Sequence, residues 1–208
     1  MGLTGRGALM GKLVVSEFIS LDGVIEDPGG AEGEWGWTDF PHGGWTFEFD
    51  RGDEGDAVKS DELKAADAQL LGRITYEGFA KAWPPMRSEA GDFGEKMNAM
   101  PKYVVSTTLS DEDASWENST VIRENIPDAV ARLKNDVDGE ILVQGSARLA
   151  RSLAENGLVD QYRLMVFPVA LGTGKRLFDG APKTKLRVVD STPVGPDGIV
   201  VFTYEPTG

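Results

Sequence analysis

Residues 141–160, ILVQGSARLARSLAENGLVD, decide how this chain folds. A run suited to a buried strand stops at Gly145, and a helical pattern starts at once with Ser146. Gly157 then stands where a helix C-terminal cap belongs. A strand that becomes a helix across one glycine is the basic unit of an α/β fold. The same junction serves either as plain architecture or as the seat of a phosphate.

Working outward, the unit recurs. STVIRENIPDAVARLKNDVDG supplies a short strand and a helix with Val130, Leu133 and Val137 on one face and Pro127 in its first turn. Towards the N-terminus, Leu13, Val14 and Val15 form a short strand from which LDG bends the chain away. Residues 29–57, rich in Gly, acids and aromatics, have no sustained period and predict a long structured loop. An acidic helix is expected around residues 53–66. The strand AQLLG follows, then a helix RITYEGFAKAW with Thr75 as N-cap, ended by Pro84 and Pro85. EAGDFGEKMNAM is a further short helix before the strand KYVVSTTL. Beyond residue 160 the pattern changes to three strand-like runs, the last two joined by the hairpin signal GPDG. The reading is an α/β fold with a mixed, mostly parallel sheet that finishes in an antiparallel meander, in one domain over residues 10–206 after a leader at 1–9.

Composition excludes several functions. With 21 Lys plus Arg against 34 Asp plus Glu, the net charge of -13 opposes binding to nucleic acid. No cysteine is present, so disulfides, thiolate metal sites and a Cys nucleophile are absent, and a triad or a histidine metal site would rest on His42 alone. No metal is expected. No apolar run approaches the roughly 20 residues that cross a bilayer, and the N-terminus lacks the apolar core of a signal peptide, so a cytoplasmic protein is expected.

Ligands of open α/β sheets bind at strand carboxyl ends, and three loops there share a chemistry. In LLGRIT, Gly72 permits close backbone approach, Arg73 brings a permanent charge, and Thr75 can hydrogen-bond at the helix start. VVSTTL offers Ser106, Thr107 and Thr108 with no acid among them. In VQGSARL, Gly145, Ser146 and Ala147 expose N–H groups at a helix N-terminus, with Arg148 in the first turn. On an acidic protein these loops make a local anion site, and a phosphorylated nucleotide suits it. The glycine fingerprint G-x-G-x-x-G, the P-loop and a Tyr-x-x-x-Lys pair are all missing, and LGTGKRLF at 171–178 reads as a turn about Gly172 and Gly174.

SEFISLDGVIE, LLGRITYEGF, PKYVVSTTL, ILVQGSARL and YRLMVFPVALGTGKRLF, in this order, resemble the dihydrofolate reductase superfamily, and most closely the C-terminal reductase domain of the bifunctional riboflavin-biosynthesis protein. The resemblance implies a three-layer α/β/α fold and NADPH. It places Gly72, Arg73 and Thr75 at cofactor phosphates, Ser106 and Thr107 at the adenosine 2′-phosphate, Gly145 and Ser146 at the pyrophosphate, and Arg148 beside the adenosine, and the N–H of Ala147 in the same helix start would point at the pyrophosphate as well. Many relatives have Gly-Gly where this chain has Gly145-Ser146. The carboxylate that dihydrofolate reductases carry on the helix after the first loop has no clear counterpart among Glu48, Asp50, Asp53, Glu54 and Asp56. Asp22 is then the acid or polar anchor for the substrate, or simply the fixing residue of an Asp-Gly turn. Trp35, Trp37 and Trp45 are available to stack on a planar substrate or to pack the loop onto the core. The expected activity is NADPH-dependent hydride transfer to a small pterin-like or pyrimidine-like heterocycle or a carbonyl compound. The alternative is a nucleotide-binding protein without turnover. The late strands, apolar on both faces, and the habit of this branch suggest a homodimer.

Overall fold

The computed structural model describes residues 10–30 and 39–207. The expected leader at 1–9 lies outside them, as do Trp35 and Trp37. In chain order the elements are β1 (Lys12–Ser20), a 3-10 turn (Trp45–Glu48), α1 (Gly52–Ala65), β2 (Ala66–Gly72), α2 (Arg73–Met86), α3 (Gly91–Ala99), β3 (Lys102–Val105), β4 (Ser119–Ile122), α4 (Ile126–Asp136), β5 (Glu140–Gln144), α5 (Ala147–Glu155), β6 (Gln161–Phe167), β7 (Lys185–Val194) and β8 (Ile199–Thr207).

One eight-stranded sheet runs β4-β3-β2-β5-β1-β6-β8-β7. Strands β1 to β6 are mutually parallel, and β8 pairs antiparallel with both β6 and β7. Helices cover both faces because alternate strand residues point to opposite sides. Leu13, Val15, Ile141 and Val143 pack with Val130 and Leu133 of α4 and Leu149 and Leu153 of α5. Val14, Leu71, Val104 and Leu142 pack with Leu63 of α1, Tyr76 of α2 and Met97 of α3. A third cluster sets Trp45 against Met165, Phe167, Val194 and Ile199, and so fastens the long loop to β6 and β8.

Four expectations are corrected. Strand β1 continues past Val15 to Ser20 because its polar residues are buried with partners: Ser16 donates to Glu62 at 2.8 Å, and Glu17 accepts from the Gly145 N–H. Helix α2 runs through Pro84 and Pro85 to Met86, since proline ring geometry is itself helical and only the lost N–H groups weaken the last turn. Its N-cap is Gly72 rather than Thr75, whose hydroxyl is engaged elsewhere. The free edge near the C-terminus is β7, because β6 and β8 are both interior. Strand β7 exposes Val188 and Val189, whereas β6 and β8, two of the late strands expected to join two copies, are each paired on both sides.

Candidate functional site

The sheet splits at the carboxyl end of β5. Strand β5 pairs with β1 only from Lys12 to Ser16, ending at Gln144, whereas β1 stays paired with β6 as far as Ser20. The chain leaves β5 by two consecutive left-handed residues, Gly145 at φ 60° and Ser146 at φ 65°, and enters α5. A notch therefore opens between β1 and the β5–α5 turn, at the point where the chain passes from the β2–β5 side of β1 to the β6 side. This is the switch point at which open α/β sheets bind ligands.

Ser146 joins two of the three anion loops. Its hydroxyl accepts from the Gly72 N–H at 2.9 Å and donates to Thr75 Oγ1 at 2.8 Å, which locks the N-terminus of α2 to that of α5. The N-termini of two helices, the positive ends of their dipoles, consequently lie side by side. Among the described residues no acceptor is hydrogen-bonded to the N–H of Ser146 or Ala147. A serine in place of a second glycine thus costs backbone freedom and supplies a brace. Gly145 is required as well: its φ is positive, and a Cβ there would lie 2.9 Å from Thr75 Oγ1.

Beside this junction Arg73, Glu77, Thr108, Leu109 and Asp113 line an open cavity of about 570 Å³. Arg73 pairs with Glu77 at 2.9 Å, both side chains being over 40% exposed. Such an exposed i,i+4 pair is worth about 0.3–0.5 kcal/mol, against about 1.5–3 kcal/mol for a charge-assisted contact to a phosphate, so Glu77 does not hold Arg73 away from a phosphate ligand. The Ser106 hydroxyl is turned inward and accepts from the N–H groups of Thr108 and Leu109 at 3.1 and 3.0 Å, shaping the loop while Thr107 and Thr108 remain exposed. The buried Tyr76 of α2 fixes the far end of that loop by accepting from the Trp116 N–H at 3.0 Å. Arg148 is exposed in the first turn of α5 and has no ion-pair partner among the described residues.

Across the notch, the loop after β1 is clasped to the turn at 171–177. Asp22 accepts from the Ser20 hydroxyl at 2.7 Å, from the N–H groups of Leu171 and Gly172 at 3.0 and 2.9 Å, and from Arg176 at 3.0 Å. These donors, the Ser20 hydroxyl first, hold its carboxyl well below the usual carboxylate range. Asp22 thus serves as an anchor of the turn at 171–177, the second of the two roles its sequence position offered. Lys175 pairs with Glu26 alongside, and a Cβ at Gly174 would strike Val24 and Phe40.

Trp45 is also corrected as a stacking residue. It is 2% exposed, its indole N–H donates to the Glu26 carbonyl at 3.0 Å, and its ring stands edge-on to Phe167. The exposed aromatic of this segment is Phe47, at 69%, which the sequence reading passed over. Also missed was a polar cluster beneath α1, where Lys59, Glu62 and Ser16 interlock and Arg163 grips Glu140 through two bonds of 2.7 and 2.5 Å. Glu17 was missed too, although an acid among Val15, Phe18 and Ile19 is the kind of signal that marks a buried polar role. Among the described residues no three His, Asp or Glu side chains gather as metal ligands, and no helix is long and apolar enough to cross a membrane.

The family model described as RibD C-terminal domain matches residues 11–200. The chain belongs to this family. It is 30% identical over 178 residues to the uncharacterized protein YwjB of Bacillus subtilis, covering 85% of this chain and 88% of that one. It is 29% identical to YyaP of the same organism over 95% and 96% of the two chains. A riboflavin biosynthesis protein from a Shewanella species superposes with a TM-score of 0.72 at 20% identity, over 95% of this chain and 99% of that one. Dihydrofolate reductase from Enterococcus faecalis, in complex with NADP(H), superposes at 0.58 with 17% identity, over 96% and 99%. The fold of this RibD C-terminal domain is thus that of dihydrofolate reductase.

Proposed function

We propose that the protein is an NADPH-dependent reductase that transfers a hydride to a small heterocyclic or carbonyl substrate. The observation that carries this reading is the convergence of two helix N-termini, braced by the Ser146 hydroxyl, beside a cavity bordered by Arg73 and Thr108. Fixed N–H groups and helix dipoles suit a pyrophosphate, and an arginine beside exposed hydroxyls suits a 2′-phosphate. Family membership and the NADP(H) complex of the dihydrofolate reductase above support the same cofactor. In this reading Gly72, Arg73, Thr75, Ser146, Ala147 and Arg148 hold the cofactor's phosphates and adenosine end. The clasp at Asp22 shapes the nicotinamide end and excludes water.

One observation favours the second reading, binding without turnover: the Asp22 carboxyl is engaged by four donors in holding the turn at 171–177. A calorimetric titration with NADPH and NADH, followed by nicotinamide absorbance with pterins, dihydrofolate, flavin precursors and quinones, separates the two. Binding with oxidation of NADPH by one of these compounds supports the reductase, binding without any oxidation supports the second reading, and no binding removes both. The proposal extends to pairing of two copies along β7, whose exposed Val188 and Val189 lie on an open sheet edge. Light scattering is expected to give a dimer mass, and a monomer mass removes that part.

A further inference from the structure

Glu17 is a buried acid beside the notch. It is the first residue of β1 beyond the length paired with β5, so it lies beside the turn where the chain leaves β5. Its side chain is on the α5 face of the sheet, in line with Leu13, Val15 and Ile19. It is 4% exposed, and one carboxyl oxygen accepts from the Gly145 N–H at 3.0 Å while the other, Oε1, is buried without a partner. That is an unusual use of a carboxyl group. A buried carboxylate with one hydrogen bond is costly, and the same contact could be made by an uncharged acceptor at no such cost.

We infer that Glu17 is a positioning residue for the dinucleotide: its carboxyl sets the Gly145–Ser146 turn, and the charge on that carboxyl governs how tightly the turn grips a phosphate. This rests on the functional reading above. By occupying the Gly145 N–H, Glu17 fixes the first of the two left-handed residues and leaves the N–H groups of Ser146 and Ala147 unengaged. The cost is an acid placed just behind an anion site. A neutral carboxyl serves the turn as an acceptor and does not oppose the anion, whereas an ionised one repels it through a medium that screens poorly.

The surroundings favour the neutral form. Burial pushes the Glu17 carboxyl well above the usual carboxylate range, against the Gly145 hydrogen bond and the Lys59 ammonium, which act to lower it, while Glu62 acts to raise it. Lys59 and Glu62, both on α1, are the charged groups that act on it; β6 presents Leu164 at the paired position, and the α5 side contributes the Gly145 N–H. A bound polyanion raises the carboxyl further. Dinucleotide binding is then accompanied by proton uptake, and affinity falls as pH rises through the Glu17 titration.

The test uses NADH, whose pyrophosphate does not titrate near neutrality, so that the 2′-phosphate of NADPH, with a pKa of about 6, does not confuse the result. Dissociation constants are measured by calorimetry from about pH 6 to about pH 9 for the wild type and Glu17→Gln. The wild-type constant is expected to rise with pH, by at most about tenfold per unit for a single linked proton. Glu17→Gln keeps an acceptor for the Gly145 N–H and carries no charge, so its constant should stay flat and fall below that of the wild type at alkaline pH. A purely structural glutamate would give the opposite, weaker binding by the variant at every pH. An unchanged slope in Glu17→Gln overturns the inference. Should the variant not fold, wild-type titrations in two buffers of different ionisation heat, repeated across the same pH range, decide: proton uptake that appears as pH rises supports the inference, and none at any pH overturns it. Failure of the wild type to bind either nucleotide at any pH overturns the functional reading and this inference together, which distinguishes that case from binding without linkage.

Discussion

The two walls of the notch are held by different chemistry. On the phosphate side, one neutral hydroxyl, that of Ser146, joins α2 to α5, and the donors beyond it are left open. On the clasp side, charge does the joining: Asp22 takes four donors, and Lys175 pairs with Glu26. A wall that satisfies all its own groups is scaffold. A wall that leaves N–H groups and a cation unspent has donors to offer, and in the proposed reading the first wall binds the ligand while the second gives the site its shape.

Substitutions can break this contrast. The largest effect is expected from Gly145→Val, because a β-branched residue is forced to a positive φ with its Cβ against Thr75. A loss of roughly 3 kcal/mol or more in a denaturant titration should accompany loss of NADPH binding. A variant as stable as the wild type would show that the turn has another shape. Next is Asp22→Ala, which strands two N–H groups and Arg176. We expect about 2–3 kcal/mol of destabilisation at neutral pH, with NADPH affinity of the folded fraction little changed. The pH dependence follows from the depressed carboxyl: the stabilisation is complete above the unfolded value of about 3.9 and is lost as pH falls below it towards the folded value. Melting curves of the two proteins should therefore draw together in acid, and a gap that stays constant down to about pH 2 would contradict the charged clasp.

Smaller effects sharpen the phosphate wall. Arg73→Gln is expected to weaken NADPH by roughly 10- to 150-fold and NADH by far less, corresponding to about 1.5–3 kcal/mol for one charge-assisted contact. Equal losses for both cofactors would move the 2′-phosphate away from Arg73. Ser146→Ala removes the brace alone, and the expected cost is about 1 kcal/mol of stability with a few-fold loss of NADPH affinity. A gain in affinity would mean that the serine hydroxyl competes with the phosphate for the Gly72 N–H.

Much of the fold was legible because its signals are local. The junctions at Gly72 and Gly145, the cap at Gly157 and the hairpin at 195–198 each follow from a few adjacent residues whose backbone requirements differ. The proline pair in α2 misled for the same reason, since a local breaker was overridden by the packing of Tyr76 and Ala82 along the buried side of that helix. Legibility of the candidate site was uneven. The glycine at the end of β2 and the exposed cations Arg73 and Arg148 at helix starts were readable from type and position. The burial of Trp45 and the locking of Asp22 depend on partners 19 to 154 residues away.

By itself, then, the chain's sequence determined the alternation of strands and helices, the glycines at strand ends and the supply of cations to an acidic protein. These follow from hydrophobic period, backbone freedom and charge, which each residue carries wherever it goes. Only the tertiary structure decided which groups are already spent. Glu17 meets Gly145 across 128 residues, Ser146 meets Gly72 across 74, and Asp22 meets Gly172 across 150. A hydrogen-bonding group has the same chemistry free or engaged, and whether it is left for a ligand depends on which distant donor or acceptor the sheet brings beside it.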